Sequence, residues 1–279
     1  MKKPSIAGLV LTAVVGFVLA GSLAAPAASA SEGVTVTYVG NAGFLVTVGS
    51  QKVLIDAMFD GFPGGYRLPA NVEQALTSAQ PPFDGVDLIL VTHNHADHFG
   101  ADMVRRHMEA NPGAILVAGR QVTEQLADLG SRVVTLAAAT GKTATTTQHG
   151  IGIQAVYLCH GAFPSGQRED VNYGYVVTIG DVCFFDTGDI DPATIGLATF
   201  RAYRLSEKGI DFAFVPYFFL GGRDAAPEFV AAIGATYVIG AHYEYTMAPL
   251  ARSAILAAYP TAVLFASDHE LDSWTMPSE

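Results

Sequence analysis

The sequence predicts an α+β fold of two similar layered halves that pack sheet on sheet. Each half of the 279-residue chain starts with β-rich runs broken by turn residues and continues with alternating strands and helices. The chain also lacks a linker rich in Pro, Ser or charge that would separate two independent domains. Half of the residues are hydrophobic and 15% are charged, so a chain of this length can bury a large core.

The first thirty residues predict a secretory signal peptide. Lys2 and Lys3 precede an apolar stretch from about Ile6 to Leu19, and small residues lead to Ala28-Ser29-Ala30. This order is typical of a signal peptide cleaved after an A-x-A site. A membrane anchor is the alternative, because the apolar stretch and its small residues are almost long enough to span a bilayer. We expect residues 31–279 to form one exported domain, periplasmic or secreted, without stable insertion in the membrane.

The charge of the chain argues against nucleic acid as a partner. The full chain carries a net charge of −11, and without residues 1–30 it has 13 basic and 26 acidic side chains. Such a surface repels phosphate backbones, so we expect a small-molecule substrate. The two cysteines, Cys159 and Cys183, form a disulfide or remain free thiols, and nothing in the sequence fixes the number of subunits.

The first half of the chain opens with three predicted strands. Val34–Val39, Gly43–Val48 and Lys52–Ile55 are β-rich runs separated by turn residues, which predicts an antiparallel meander. Residues 60–83 contain several Gly and Pro residues, and an irregular loop of this length is usually functional. Val86–Val91 is apolar except for one residue, which is typical of a strand buried on both faces.

Strands and helices alternate through the rest of the chain. A helix is expected over Ala101–Glu109, where Val104 and Met108 share one face. The further predicted strands are Ala114–Ala118, Val133–Leu136, Ile151–Leu158, Tyr173–Ile179, Val182–Phe185, Phe212–Val215, Thr236–Ile239 and Ala262–Phe265. The further predicted helices are Val122–Leu129, Ala193–Tyr203, Ala226–Ile233 and Ala248–Ala258.

Four potential metal ligands follow the buried strand directly. His93, His95, Asp97 and His98 lie within six residues, and imidazole and carboxylate are the ligands that suit zinc and its first-row neighbours. On a tight loop His93 and His95 can point one way while Asp97 and His98 point another, which would serve two metal ions. A polar surface turn is the alternative, but the density of ligands after a buried strand favours a metal site.

The pattern His93-x-His95-x-Asp97-His98 resembles the signature of the metallo-β-lactamase superfamily. Its fold, a four-layer αββα sandwich, is therefore the expected architecture. Further segments resemble the family's landmarks in order, and their residues are Asp56 after Val53-Leu54-Ile55, His160 in Leu158-Cys159-His160-Gly161, Asp189 in Thr187-Gly188-Asp189, and His242 in Ile239-Gly240-Ala241-His242-Tyr243.

The resemblance implies two divalent metal ions, with zinc expected and manganese or iron as alternatives. It implies that His93, His95 and His160 hold the first metal, that Asp97, His98 and His242 hold the second, and that Asp189 bridges both.

Two of these assignments have rivals in the sequence, and Asp56 has two alternative roles. His269 competes with His242, and Asp186 competes with Asp189, which is preferred because the chain can turn after Thr187-Gly188. Asp56 either orients a ligand histidine or caps a turn.

Two ions about 3.5–4 Å apart can share one water and lower its pKa, so the expected nucleophile is a hydroxide between them. Asp97 is the predicted catalytic residue, since it can hold the second ion and accept a hydrogen bond from the hydroxide. An ester-like bond is the expected target: lactone, thioester, β-lactam or phosphodiester. Tyr243 is the expected substrate contact because it adjoins His242.

The sequence from Tyr38 to Phe44 and the short length of the chain are similar to those of hydrolases related to the ascorbate-lactonase type. True metallo-β-lactamases generally place Cys or Ser where Asp189 stands in this chain, which counts against β-lactams. The alternatives are a β-lactam hydrolase and a non-catalytic protein that binds metal or ligand on the same fold.

Overall fold

The computed structural model describes residues 1, 33–61, 66–160, 171–221, 226–242, 249–265 and 271–277. Contacts between residues divide the chain into two compact units, Met1–Ser31 and Glu32–Glu279. The described strands and helices all belong to the second unit. The predicted signal peptide after Met1, together with Tyr243 and His269, lies outside the described residues. Within the described part of the chain, no helix has the length and apolar character needed to cross a membrane.

Thirteen strands and eight α-helices are formed by the described residues. In chain order the strands are β1 (Val34–Gly40), β2 (Gly43–Val48), β3 (Gln51–Ile55), β4 (Leu88–Val91), β5 (Ile115–Ala118), β6 (Val133–Thr135), β7 (Thr143–Gln148), β8 (Ile151–Tyr157), β9 (Tyr173–Ile179), β10 (Val182–Asp186), β11 (Phe212–Pro216), β12 (Tyr237–Ala241) and β13 (Asp272–Thr275). The α-helices are α1 (Ala70–Thr77), α2 (Ala101–Ala110), α3 (Arg120–Thr123), α4 (Pro192–Ile195), α5 (Leu197–Ala202), α6 (Tyr217–Gly221), α7 (Pro227–Ile233) and α8 (Pro249–Ala258), and 3-10 helices span Glu124–Arg132 and Leu205–Glu207.

The strands form two mixed sheets. The seven-stranded sheet has the order β13-β1-β2-β3-β4-β5-β6, and the six-stranded sheet has the order β12-β11-β10-β9-β8-β7. Strands β1 to β3 pair antiparallel, which confirms the predicted meander. Strands β3 to β6 and β10 to β12 pair parallel. Parallel strands place their carboxyl ends at one edge of a sheet, so the loops that follow them come together there.

Alternating side chains along the strands produce four layers. In β2, Phe44 and Val46 belong to the core between the sheets, whereas Leu45 belongs to a second core beneath α1 and α2. This is the two-residue period of a strand that is covered on both faces. The Phe44 ring stacks on Phe214 of the second sheet at a centroid distance of 4.2 Å. Helices α5 and α7 cover the other face of the second sheet through Phe200 and Phe229, so the predicted αββα sandwich is present.

The sequence interpretation was wrong about two segments. Residues 60–83 are not one irregular loop, because α1 forms within them and buries Val72 and Leu76 one helical turn apart. The last predicted strand, Ala262–Phe265, makes only the single bridge between Val263 and Ile239. The last strand of the described residues is instead β13, which pairs with β1 and so covers an edge of the first sheet.

Three further elements differ from those predicted from the sequence. Strand β7 went unpredicted because Thr143–Gln148 has no hydrophobic alternation, and it gains its structure by pairing with β8. The helix predicted over Ala193–Tyr203 is divided at Gly196, whose φ of +69° interrupts a right-handed helix. The helix predicted over Val122–Leu129 continues from α3 into a kinked 3-10 helix.

Candidate metal centre

A buried network beneath the loop that follows β4 holds this loop in place. Thr92 precedes the four predicted ligands, and its backbone N–H donates to Asp56 Oδ1 at 2.9 Å. The Thr92 hydroxyl donates to Asp56 Oδ2 at 2.5 Å, and Thr92 O accepts from the N–H of Tyr173 in the second sheet at 3.0 Å. The loop itself turns tightly, because His98 N donates to His95 O at 3.0 Å. Asp56 therefore connects the end of β3 to the start of the loop.

The first cluster is formed by three histidines. One ring nitrogen from each of His93, His95 and His160 lies within 4.8 Å of the others, and the ring centroids are 4.6–5.0 Å apart. His93 is buried, while His95 and His160 are partly accessible. Three convergent imidazoles form a donor set that suits zinc with an open coordination position.

The second cluster adds two carboxylates. Ligand atoms of Asp97, His98, Asp189 and His242 also lie within 4.8 Å of one another. His242 Nε2 is 3.4 Å from Asp97 Oδ2, and His98 Nε2 is 3.8 Å from the same oxygen. His242 follows β12 and adopts a φ of +64°, so the chain turns sharply to bring its ring into the cluster.

Asp189 lies between the two clusters. Its Oδ2 is 3.4 Å from His160 Nε2 and 3.1 Å from His242 Nε2, and its Oδ1 is 3.3 Å from His98 Nε2. One carboxylate thus contacts members of both clusters, which is the arrangement expected of a bridging group. All seven predicted ligands are brought together.

The hydrogen bonds of Asp56 determine which ring nitrogens face the clusters. His98 Nδ1 lies 2.7 Å from Asp56 Oδ2 and donates to it. Thr92 Oγ1 lies 3.0 Å from His93 Nδ1, and because this hydroxyl donates to Asp56, it accepts from His93. Each ring therefore directs Nε2 towards the clusters, and both of these Nε2 atoms are buried without a hydrogen bond among the described residues. Asp56 orients the ligand histidines and also anchors the turn.

The rival carboxylates Asp186 and Asp189 occupy different environments. Asp186 Oδ1 accepts from Gly188 N at 2.6 Å, and burial together with the nearby Asp56 carboxylate raises the pKa of Asp186 to about 8. Asp186 belongs to neither cluster. Gly188 has a φ of +50°, and a Cβ atom there would lie 2.3 Å from Asn172 Oδ1. Only glycine fits this turn, which carries the chain from β10 to Asp189.

The buried histidines of the site differ in their protonation. Burial lowers the pKa of His93 well below its usual value, so this imidazole is neutral. Burial also opposes charge on His242, but Asp189 and Asp97 raise its pKa to about 10. Asp189 and Asp56 overcome the same penalty at His98 and raise its pKa well above the usual value. The pKa of Asp189 falls well below normal, because His242 and His98 outweigh its burial. Without a cation, protons on these histidines balance the carboxylates.

Sequence reasoning missed two residues that support the site. Buried Asn172 accepts from Asp189 N through Oδ1 at 3.2 Å and donates to Thr187 O at 3.0 Å. Thr92 connects Asp56 to His93 through its hydroxyl. Neither residue has a local sequence signal, since Asn172 depends on contacts with Thr187 and Asp189 and Thr92 depends on its contact with Asp56.

The aromatic side chain of Phe218 contacts the second cluster. Its ring meets His242 edge-on at a centroid distance of 5.7 Å, so α6 supplies an apolar wall beside the second cluster. Tyr66 instead packs near Phe59, with ring centroids 6.0 Å apart.

The family model described as the beta-lactamase superfamily domain matches residues 51–243. A UPF0173 metal-dependent hydrolase of Thermococcus kodakarensis is 30% identical over 224 residues, which are 78% of this chain and 88% of the relative. A UPF0173 metal-dependent hydrolase of Thermus thermophilus is 27% identical over 197 residues, which are 69% of this chain and 76% of the relative.

Solved structures share the fold. Igni18, a metallo hydrolase from Ignicoccus hospitalis, superposes with a TM-score of 0.62 at 17% identity, covering 88% of this chain and all of that one. The metallo-β-lactamase fold protein YhfI from Bacillus subtilis gives a TM-score of 0.56 at 14% identity, again over 88% of this chain and all of that one. The predicted fold and enzyme class are confirmed. Since the family model spans most of the chain and the Thermococcus relative aligns over most of both proteins, this chain belongs to the metal-dependent hydrolases of the beta-lactamase superfamily.

Proposed function

We propose that this protein is an exported hydrolase that uses two divalent cations, expected to be zinc, to cleave an ester-like bond in a small molecule. A lactone, a phosphodiester or a related group would be the substrate. The position of Asp189 carries this proposal, because its carboxylate contacts His160 of the first cluster and both His98 and His242 of the second. A carboxylate shared in this way is what a pair of adjacent cations needs.

The residues fit two cations on chemical grounds. His93 Nε2 is buried without a hydrogen bond among the described residues, and buried polar atoms are rarely left without a partner. The Nε2 atoms of His98 and His242 face carboxylates of the second cluster at 3.1–3.8 Å. Imidazole and carboxylate suit zinc, manganese and iron. The first cation would be held by His93, His95 and His160, and the second by Asp97, His98 and His242, with Asp189 shared between them.

The protein groups support hydrolysis in distinct ways. When bound, two divalent cations lower the pKa of water and polarise the bond to be cleaved. Ion pairing with His242 and the charge of His98 overcome the cost of burial and lower the pKa of Asp97, so Asp97 remains a carboxylate. Its Oδ1 is buried without a hydrogen bond among the described residues, and it can accept a hydrogen bond from the attacking water. Phe218 beside His242 would shield this region from bulk solvent.

Charge and the identity of residue 189 favour a small, non-nucleic-acid substrate. With 26 acidic and 13 basic side chains after residue 30, the protein would repel a phosphate backbone. True metallo-β-lactamases generally carry Cys or Ser where this chain has Asp189. This difference argues against a β-lactam as the substrate.

Metal analysis combined with a substrate screen tests the hydrolytic proposal. We expect about two metals per chain and cleavage of a lactone or phosphodiester by zinc- or manganese-loaded protein. His95→Ala should abolish this activity. The matched control is His149→Ala, because His149 is exposed and contacts Gly113 O away from the clusters. A content of about one metal per chain or less, where two are expected, or unchanged activity in His95→Ala, would overturn the proposal.

Export is tested by sequencing the N-terminus of the protein produced in a bacterial host. Cleavage after Ala30 and recovery outside the cytoplasm are expected. An intact Met1 in the membrane fraction would instead support the anchor and contradict release.

A further inference from the structure

We propose that Asn41 positions the second cluster by joining Asp97 to His242, and that it thereby sets the affinity of that cluster for its cation. This inference rests on the proposed two-cation function. It assigns to Asn41 a positioning role, since the residue acts through two predicted ligands and is not itself in either cluster.

Asn41 forms one hydrogen bond to each of two predicted ligands. It lies in the turn between β1 and β2, and only 1% of its surface is exposed. Its side-chain Nδ2 donates to Asp97 O at 2.9 Å. Its own backbone O accepts from His242 N at 3.0 Å. Asp97 and His242 come from different halves of the fold, so Asn41 links the two halves at the second cluster.

The Asp97 carbonyl determines the orientation of the Asn41 amide. A carbonyl can only accept, so the amide nitrogen must face Asp97. The amide oxygen Oδ1 is then buried, and it has no hydrogen bond among the described residues. A buried acceptor without a partner costs free energy, which offsets part of what the hydrogen bond to Asp97 contributes.

The backbone of Asn41 adds a second constraint. Asn41 adopts a φ of +49°, and His242, whose N–H it accepts, adopts a φ of +64°. Asparagine tolerates this left-handed conformation better than most residues. Strained conformations of this kind persist where the surrounding structure holds them, and they concentrate at functional sites.

Asn111 provides a matched control away from the clusters. Its Nδ2 donates to Val86 O at 2.8 Å, which is the same kind of bond at nearly the same length. A purely structural role for Asn41 predicts that Asn41→Gly and Asn111→Gly lower thermal stability alike and leave metal binding intact. Glycine is chosen for position 41 because it tolerates the left-handed conformation while it removes the side chain with its amide.

The test is a calorimetric titration of the metal-free full-length protein with zinc, with a competing chelator. The two binding steps are first assigned with His95→Ala and His242→Ala. The zinc affinity of the binding step that is lost in His242→Ala should be about 10–100-fold lower in Asn41→Gly. This is the usual effect of losing an outer partner of a metal ligand. The other step should be unchanged, Asn111→Gly should bind like the wild type, and thermal unfolding should show that both glycine variants are folded.

Three outcomes would overturn this inference, and they differ in what they say about the proposed function. If the wild type shows two steps and Asn41→Gly leaves both unchanged, or weakens only the step lost in His95→Ala, Asn41 does not position the second cluster. The proposed function then stands. If the wild type itself shows a single step, the two-cation function fails and the inference fails with it.

Discussion

The two halves of the fold supply their predicted ligands in different ways. The first half places four of them on one short loop, His93 to His98, held from below by the Asp56–Thr92 network. The second half supplies three single residues that follow three different strands, β8, β10 and β12. The loop is therefore fixed as a unit, whereas each second-half ligand depends on a few hydrogen bonds of its own. Variants in each half test this difference.

Removal of Asp189 should have the largest effect, because this carboxylate contacts both clusters. We expect Asp189→Ala to lose metal from both and to lower kcat/KM by more than about 100-fold, beyond the 10–100-fold usual for outer partners. Metal content and kinetics measure this. Asp181→Ala, at an exposed turn, is the control. Retention of both metals by Asp189→Ala would show that the clusters are independent.

Replacement of Asp56 tests whether the loop depends on its support. Asp56→Asn removes the carboxylate that accepts from His98 Nδ1 and from the Thr92 hydroxyl, so the orientation of the His98 and His93 rings is no longer fixed. Zinc affinity should fall by about 10–100-fold, as measured by chelator competition. Asp87→Asn is the matched control, since Asp87 accepts from the Lys52 backbone at 2.9 Å. Equal zinc affinity in both variants would assign Asp56 a purely structural role.

The pH dependence of metal binding should differ between the clusters. The pKa of His242 is raised to about 10 and that of His98 is also raised, so both are protonated at neutral pH without metal. Cations must displace these protons. Affinity at the second cluster should therefore rise about tenfold per pH unit for each proton released, whereas His93, whose pKa is lowered, releases none. Titrations at pH 6, 7 and 8 in buffers of different ionisation enthalpy measure this. Identical slopes for both steps would contradict it.

The same shifts predict the stability of the metal-free protein. A histidine whose folded pKa is raised stabilises the fold fully below its unfolded pKa, and this stabilisation is lost as the pH rises through the folded value. The contribution of His242 should therefore be complete below about pH 6.5 and disappear towards pH 10. Thermal unfolding of the metal-free wild type and His242→Ala should converge over this range. A constant difference between the two proteins would contradict the raised pKa.

The contrast between the halves also explains what the sequence could predict. His93, His95, Asp97 and His98 are recognisable because four potential ligands occur together after a buried strand. His160, Asp189 and His242 were located only through resemblance and strand order, since each stands alone in its segment.

The supporting residues were not predictable from local sequence. Asn172 supports Asp189 from 17 positions away, and Asn41 reaches Asp97 across 56 positions. A local pattern cannot reveal contacts between segments that are distant in sequence and meet only when each sheet has formed. The final strand was misplaced for the same reason, because β13 is defined by its pairing with β1.

The smallest effect is expected at Asp186, the rival that lies one turn before Asp189. Because its pKa is raised to about 8, Asp186 is protonated at neutral pH and Asp186→Asn replaces one neutral group with another. A raised carboxyl pKa lowers folded stability progressively as the pH rises from the unfolded pKa of about 4 to the folded one. Asp186→Asn should therefore gain thermal stability over the wild type between pH 5 and 8, with no further gain at pH 9. Its zinc affinity should stay within about twofold of the wild type, far below the outer-partner effect. Loss of a metal from Asp186→Asn would transfer to Asp186 the bridging role proposed for Asp189.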